Sequence, residues 1–348
     1  MTNINKSGIS NTFLGLALAS TMTFGMSAGT SSAETLSYAT WQSETSQDLH
    51  AISLHWLKKQ VKERSAGKHD LKIFWGGSLA TIAQIGDAVQ NKLAAMGDLV
   101  VPYHPNQLPV NNAIGFFWPQ PHSPKQLVAM MKGFHENVPQ FGDELSAFNM
   151  KLIGLRPLGY YGMLCREPVR KVEDFVGKRI RAYGIALPAA IQAIGGVPVS
   201  MSTVETYEAL SRGVLDCTPI EPVIAHGQKY DEVAKYFVDV PMGASWGQFI
   251  VVNSEVWAGL PEDFQQILIE IGNEYPEYFT DEQERLTAEV LAGWNASTDV
   301  EVIQIDRAAF LVKTETSDLV RAARQGWIDR AKALGVPAED IADQMSFK

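Results

Sequence analysis

The sequence predicts an α/β protein, and three observations carry that reading. After residue 33 the chain runs strand, helix, strand, helix, strand, a rhythm that argues for parallel strands joined by right-handed crossovers. Residues 177–222 repeat the alternation as two strand–helix units joined by a tight Gly195-Gly196 turn. At 348 residues the chain can bury two cores, at roughly 100 to 200 residues each.

Taken in order, alternation marks a first strand at 36–40, followed by the polar and aromatic loop Trp41-Gln42-Ser43. Leu49, Ile52, Trp56 and Val61 then recur at helical spacing over about 47–64. A second strand at 71–75 closes on Gly76-Gly77, and after another helix a third strand at 98–101 ends at Pro102-Tyr103-His104. Helices over 125–138 and on to 147 lead to a strand at 151–155 and the run Gly159-Tyr160-Tyr161-Gly162. An apolar strand follows at 249–252. The helical pattern of 261–295 keeps Phe264, Ile267, Leu268 and Ile271 in register but contains Pro276, which is expected to kink or interrupt it. A strand at 301–305 and a helix over about 317–334 complete the chain, and no repeat of solenoid period is present.

The stretch 177–222 reads GKRIRAYGIALPAAIQAIGGVPVSMSTVETYEALSRGVLDCTPIEP. Alternation in its first strand puts Ile180 and Ala182 on one face and Arg179, Arg181 and Tyr183 on the other, so guanidinium groups stand at the strand's mouth. Ser202 and Glu205 are spaced as a capping box, and Gly213 is placed as a left-handed helix stop. Ligands of open sheets bind beyond the carboxyl ends of the strands, so Arg181 and the 217–221 turn, with Cys217 and Glu221, are expected to converge on a site.

GKRIRAYG, the GGVPV turn, TYEALSRGVLDC and the later FIVVNSEVWAGLPEDFQQ together resemble the periplasmic solute receptors of tripartite ATP-independent (TRAP) transporters. The resemblance implies a two-lobed periplasmic binding protein of the Venus-flytrap kind, with a long helix bridging both lobes. Its lobes would comprise 34–158 with 245–283, and 159–244 with 284–348. It implies a small organic acid as ligand, integral membrane subunits of a TRAP transporter as partners, and a periplasmic location. Arg181 matches the arginine that grips the substrate carboxylate in that family, where a guanidinium fork meets a carboxylate with two parallel hydrogen bonds. Some members carry a second arginine where this chain has Tyr160-Tyr161; a phenol adds no charge, which favours a monocarboxylate or keto acid over a dicarboxylate. Metal-binding members have an acidic residue in the turn that holds Glu221, so Glu221 is expected either to face the cleft, accepting from ligand hydroxyls or an amine or helping to hold a cation, or to sit exposed on its loop. Trp41, Tyr103, Trp246 and Phe249 are the expected apolar walls, with Gln248 as a polar partner.

Composition narrows the rivals. A net charge of −10 leaves no footprint for nucleic acid, yet arginines lining a pocket can still hold an anion. Residues 1–33 read as a signal peptide: Lys6 opens it, an apolar run follows, and Ser31-Ser32-Ala33 is a small-residue cleavage site. Cys165 and Cys217 are either one disulfide or two buried thiols. The seven histidines show no metal-ligand spacing, and no phosphate-cradling loop or dinucleotide fingerprint occurs, so no cofactor is expected and binding is favoured over catalysis. Two alternatives stay open. One is a receptor of an ATP-driven transporter, which shares the bilobal build. The other is a secreted hydrolase using Ser245, within Gly243-Ala244-Ser245-Trp246-Gly247, although no histidine follows His226 to complete a triad.

Overall fold

The computed structural model describes residues 32–347, with the backbone alone at 245 and 246. The expected signal peptide therefore lies almost wholly outside the described residues. In chain order the strands are β1 (Thr35–Ala39), β2 (Asp70–Phe74), β3 (Met96–Val100), β4 (Met150–Tyr160), β5 (Gly162–Cys165), β6 (Arg179–Ala182), β7 (Val197–Ser200), β8 (Cys217–Ile220), β9 (Tyr236–Asp239), β10 (Ala244–Asn253) and β11 (Glu301–Gln304). They form a five-stranded sheet in the order β2-β1-β3-β10-β4 and a six-stranded sheet in the order β11-β9-β5-β8-β6-β7.

Both sheets are mixed, where the rhythm of the sequence argues for parallel strands. Strands β1, β2 and β3 are parallel, as are β6, β7 and β8, but β10 runs antiparallel to β3 and β4, and β5 antiparallel to β8 and β9. The exceptions sit where the chain crosses between sheets. It leaves the first sheet at the end of β4, enters the second after Tyr161, and returns along β10, so its direction is set by the crossing and not by a helical crossover.

Local chemistry accounts for the elements that hold the site. The helix Leu49–Arg64 begins at Asp48, whose carboxylate accepts from Ala51 N–H at 3.1 Å. It buries Leu54, Leu57 and Val61 against the first sheet. The capping box is present, with Ser202 N–H donating to Glu205 at 3.0 Å, and Gly213 takes φ +70°.

Pro276 does not interrupt the long helix, which runs unbroken over Glu262–Ser297. Its 36 residues reach about 54 Å at 1.5 Å per residue, enough to span both sheets. Phe264, Leu268, Ile271, Tyr275 and Phe279 pack with the first sheet, and Trp294 packs in the core of the second. Burial along most of its length outweighs the one hydrogen bond that proline removes. Gly272 lets it lie directly on the sheet edge, since a Cβ there would stand 1.9 Å from the Ile153 carbonyl oxygen.

Two further features differ from or complete the sequence reading. The division at 284 puts the rest of the chain with the second lobe, yet the helices Asp318–Ala333 and Ala338–Met345 pack Trp327, Ala331 and Ile341 into the core of the first sheet. Trp327 also donates to the Pro109 carbonyl at 3.0 Å and meets Phe117 edge-on. Amphipathic spacing specifies that a helix has a buried face, not which core receives it. Cys165 and Cys217, at facing positions on β5 and β8, form a disulfide.

Candidate binding cleft

Arg181 stands on β6 with 2% of its surface exposed. Its Nε donates to the Met201 carbonyl at 3.3 Å and one terminal nitrogen donates to Thr203 Oγ1 at 2.7 Å. The guanidinium lies 4.7 Å from the Tyr183 ring centroid. Thr203 is itself pinned, because Tyr230 Oη donates to its carbonyl at 2.6 Å and the Ser202–Glu205 box closes the turn around it. Two of the five guanidinium N–H groups thus have protein acceptors, and no carboxylate forms an ion pair with Arg181 among the described residues. The other buried arginine among the described residues, Arg156, meets Asp98 at 2.8 Å, and the half-buried Arg324 meets Glu315 at 2.6 Å. A buried charge without a counter-ion is costly unless an anion is brought to it.

Arg181 lines a cavity of about 40 Å³ between the two sheets. From the first sheet and its helices come Trp41, His50, Tyr103 and Gln248; from the second come Tyr161, Tyr183, Thr203 and Ile220. Gln248 is held from behind, since its carbonyl accepts from Arg156 at 3.2 Å, and that leaves its amide nitrogen to donate into the cavity. Gln228 reaches across from the second sheet and donates to Asp48, with its amide 3.1 Å from that of Gln42. Gly227 completes this contact: a Cβ there would stand 2.6 Å from the Asp48 backbone nitrogen, so the close approach depends on glycine. Burial pushes the Asp48 carboxyl up, but the neighbouring His50 imidazole, the Ala51 N–H and the Gln228 amide outweigh it and hold the group below its ordinary value.

Arg181, Trp41, Tyr103 and Gln248 all line the cavity, while four other residues singled out from the sequence lie away from it. Tyr160 is 51% exposed and faces outward, while its neighbour Tyr161 lines the cavity, as the two-residue period of extended chain requires. Phe249 is displaced for the same reason, being buried in the first core while Gln248 lines the cavity. Cys217 is committed to the disulfide inside the second core. The side chain of Trp246 lies outside the described residues.

Glu221 does not face the cavity either. It follows Ile220, which does, and turns into the crossing between the sheets. There the Gly159 N–H and the Gln283 amide of the long helix, the latter at 2.5 Å, both donate to one of its oxygens. Its other oxygen is buried without a hydrogen-bond partner. Burial, opposed by these donors and reinforced by the Asp48 charge, pushes the carboxyl up to about 8. The spacing of the 217–221 turn could not reveal this, because the burying partners come from residues 159 and 283.

Sequence reasoning also passed over His50, Tyr161, Gln228 and Arg156. Tyr183 was legible, since alternation put it on the face of Arg181. Ser245 lies within β10, so the strand-to-helix turn of a nucleophile elbow is absent there. Among the described residues, no group of three or more His, Cys, Asp or Glu is placed to hold a metal ion, and no helix is long and apolar enough to cross a membrane.

The cavity with Arg181 lies between the two α/β units, and the chain matches a known family. The family model described as bacterial extracellular solute-binding protein, family 7 (DctP) matches residues 40–317. The chain belongs to the DctP family. Among similar family members is the C4-dicarboxylate-binding periplasmic protein DctP of Rhodobacter capsulatus, 30% identical over 185 residues, 47% of this chain and 54% of that one. The chain thus spans about half the length of that relative. The 2,3-diketo-L-gulonate-binding periplasmic protein YiaO of Escherichia coli is 25% identical over 77% of this chain and 81% of its own. Two solved structures share the two-lobed fold. DctP6 of Bordetella pertussis, a receptor binding pyroglutamic acid, superposes with a TM-score of 0.76 at 20% identity, covering 89% of this chain and 99% of that one. A TRAP periplasmic solute-binding protein of Bordetella bronchiseptica with bound (R)- and (S)-mandelate gives a TM-score of 0.76 at 19% identity over 89% and 97%.

Proposed function

We propose that this DctP-family protein is a periplasmic receptor that captures a small organic monocarboxylate between its lobes and delivers it to the membrane subunits of a TRAP transporter. The observation that carries the reading is Arg181, a cation buried in the interlobe cavity with no carboxylate of the described residues within ion-pair distance. The ligand carboxylate would supply that charge through the guanidinium fork. Trp41, Tyr103 and Tyr161 would give apolar contact, and Gln248 a further donor. We take the first lobe as 34–158, 245–283 and 318–345, and the second as 159–244 and 284–317. Closure follows because the ligand touches both lobes and so stabilises the closed state over the open one. No covalent step is needed, and we assign no catalytic role to Ser245 or to any other residue.

The names of relatives favour an organic acid in general, and one of them a dicarboxylate. Arg181 is the one arginine or lysine among the described residues lining this cavity, which favours a single carboxylate here. A thermal-shift titration tests this with lactate, pyruvate and propionate against succinate and malate. At about a hundred times its dissociation constant, a monocarboxylate is expected to raise the melting temperature by about 5 °C or more. Stabilisation by the dicarboxylates alone, or by none of the five, would overturn the reading.

A further inference from the structure

We propose that His50 determines specificity by reading a hydroxyl or N–H donor on the bound acid, so that the preferred ligand is a small monocarboxylate carrying such a donor. This rests on the organic-acid reading and adds to it the class of acid.

His50 is the second residue of the helix Leu49–Arg64, is 1% exposed, and lines the cavity from the lobe opposite Arg181. Both of its ring nitrogens are buried and neither has a hydrogen-bond partner. Such atoms are uncommon in folded proteins, because an unsatisfied buried polar group loses its hydration without replacement. The ring is flanked by Trp41 and Phe279, with centroids 6.3 and 5.7 Å away. A ligand held on Arg181 enters the same cavity.

The neighbouring charge decides which ligand group His50 can accept. Nδ1 lies 3.6 Å from Asp48 Oδ1. That carboxylate is fixed by the Ala51 N–H at 3.1 Å and by the Ser46 hydroxyl at 3.0 Å, besides Gln228. In the neutral ring that negative charge favours the tautomer with the proton on Nδ1, and Nε2 is then the lone pair. A hydroxyl or amide N–H on the ligand satisfies that lone pair. A keto oxygen opposes one lone pair with another, and a second carboxylate would in addition meet the Asp48 charge with no second lysine or arginine lining the cavity to offset it.

The test measures dissociation constants by calorimetry for two matched sets: lactate, pyruvate and propionate; and 3-hydroxybutyrate, acetoacetate and butyrate. In the wild-type protein at least one hydroxy acid is expected to bind about tenfold or more tightly than its keto and unsubstituted partners. In His50→Phe that ratio is expected to fall to about one, and His50→Gln, which keeps an acceptor, is expected to restore part of it. Far-ultraviolet circular dichroism establishes that each variant is folded. Equal affinities within both wild-type sets, a preference that survives in His50→Phe, or tighter binding of succinate than of either hydroxy acid would overturn the inference while leaving the receptor reading in place. If no acid of either set binds the wild-type protein, the monocarboxylate reading and this inference fail together.

Discussion

Replacing Arg181 by alanine is expected to weaken ligand binding by about 2 to 5 kcal/mol, or roughly thirtyfold to several thousandfold, because the ligand carboxylate would then be buried without its partner. The ligand-free protein should lose little stability, and it can gain some. The residue has no carboxylate within ion-pair distance to strand, and its removal relieves a buried charge held by Met201, Thr203 and the Tyr183 ring. This combination separates a binding arginine from a structural one. Removing Arg156, which is tied to Asp98, Tyr275 and Gln248, would instead unbalance a buried network. Arg181→Lys keeps the charge but loses the fork and should fall between the wild type and alanine. Calorimetric titration and urea unfolding of the same preparations check both halves. Undiminished affinity in Arg181→Ala would remove the basis for the proposed function.

The second large effect concerns Glu221. With its carboxyl pushed up to about 8 from an ordinary 4.5, the folded protein holds a proton there that the unfolded chain releases. The stability contributed by this group is therefore complete below about pH 4.5 and is lost as the pH rises through 8, by on the order of 5 kcal/mol in total. Glu221→Gln carries a neutral side chain at every pH. Its unfolding free energy relative to the wild type is expected to rise steadily between pH 5 and 8.5 and to level off above that. Urea unfolding of both proteins over this range measures the difference, in which the titrations of other groups largely cancel. Parallel curves would show that Glu221 is ionised in the fold. Because Glu221 joins Gly159 at the crossing to Gln283 on the long helix, the same titration reports on the region about which the lobes would swing.

The division between what could and could not be read from the sequence follows physical lines. Arg181 was legible because a strand's alternation and the rule that ligands sit at strand ends are both local. Trp41 and Tyr103 were legible for the same reason, each closely following the end of a strand, whereas Gln248 lies inside β10. Tyr160 and Phe249 each lie one residue from a residue that lines the cavity, Tyr161 and Gln248, because neighbouring positions of a strand point to opposite faces. Glu221 and His50 could not be placed at all, since what defines each is a partner far along the chain: Gly159 and Gln283 for the first, and for the second the opposing lobe that closes the cavity over its ring. The helices after residue 317 were recognisable as helices, but their attachment to the first core depends on contacts such as Trp327 with Phe117 and the Pro109 carbonyl. The antiparallel strands β5 and β10 owe their direction to the crossings between sheets, which periodicity does not encode.

The most direct measurement is a crystal structure of the protein grown with the acid that stabilises it most in the thermal-shift series. The expected result is one carboxylate in the cavity among Trp41, Tyr103 and Tyr161, with both oxygens within about 2.7–3.2 Å of Arg181 guanidinium nitrogens. An acid bound outside the cavity, or lying in it with its carboxylate turned away from Arg181, would contradict the central claim.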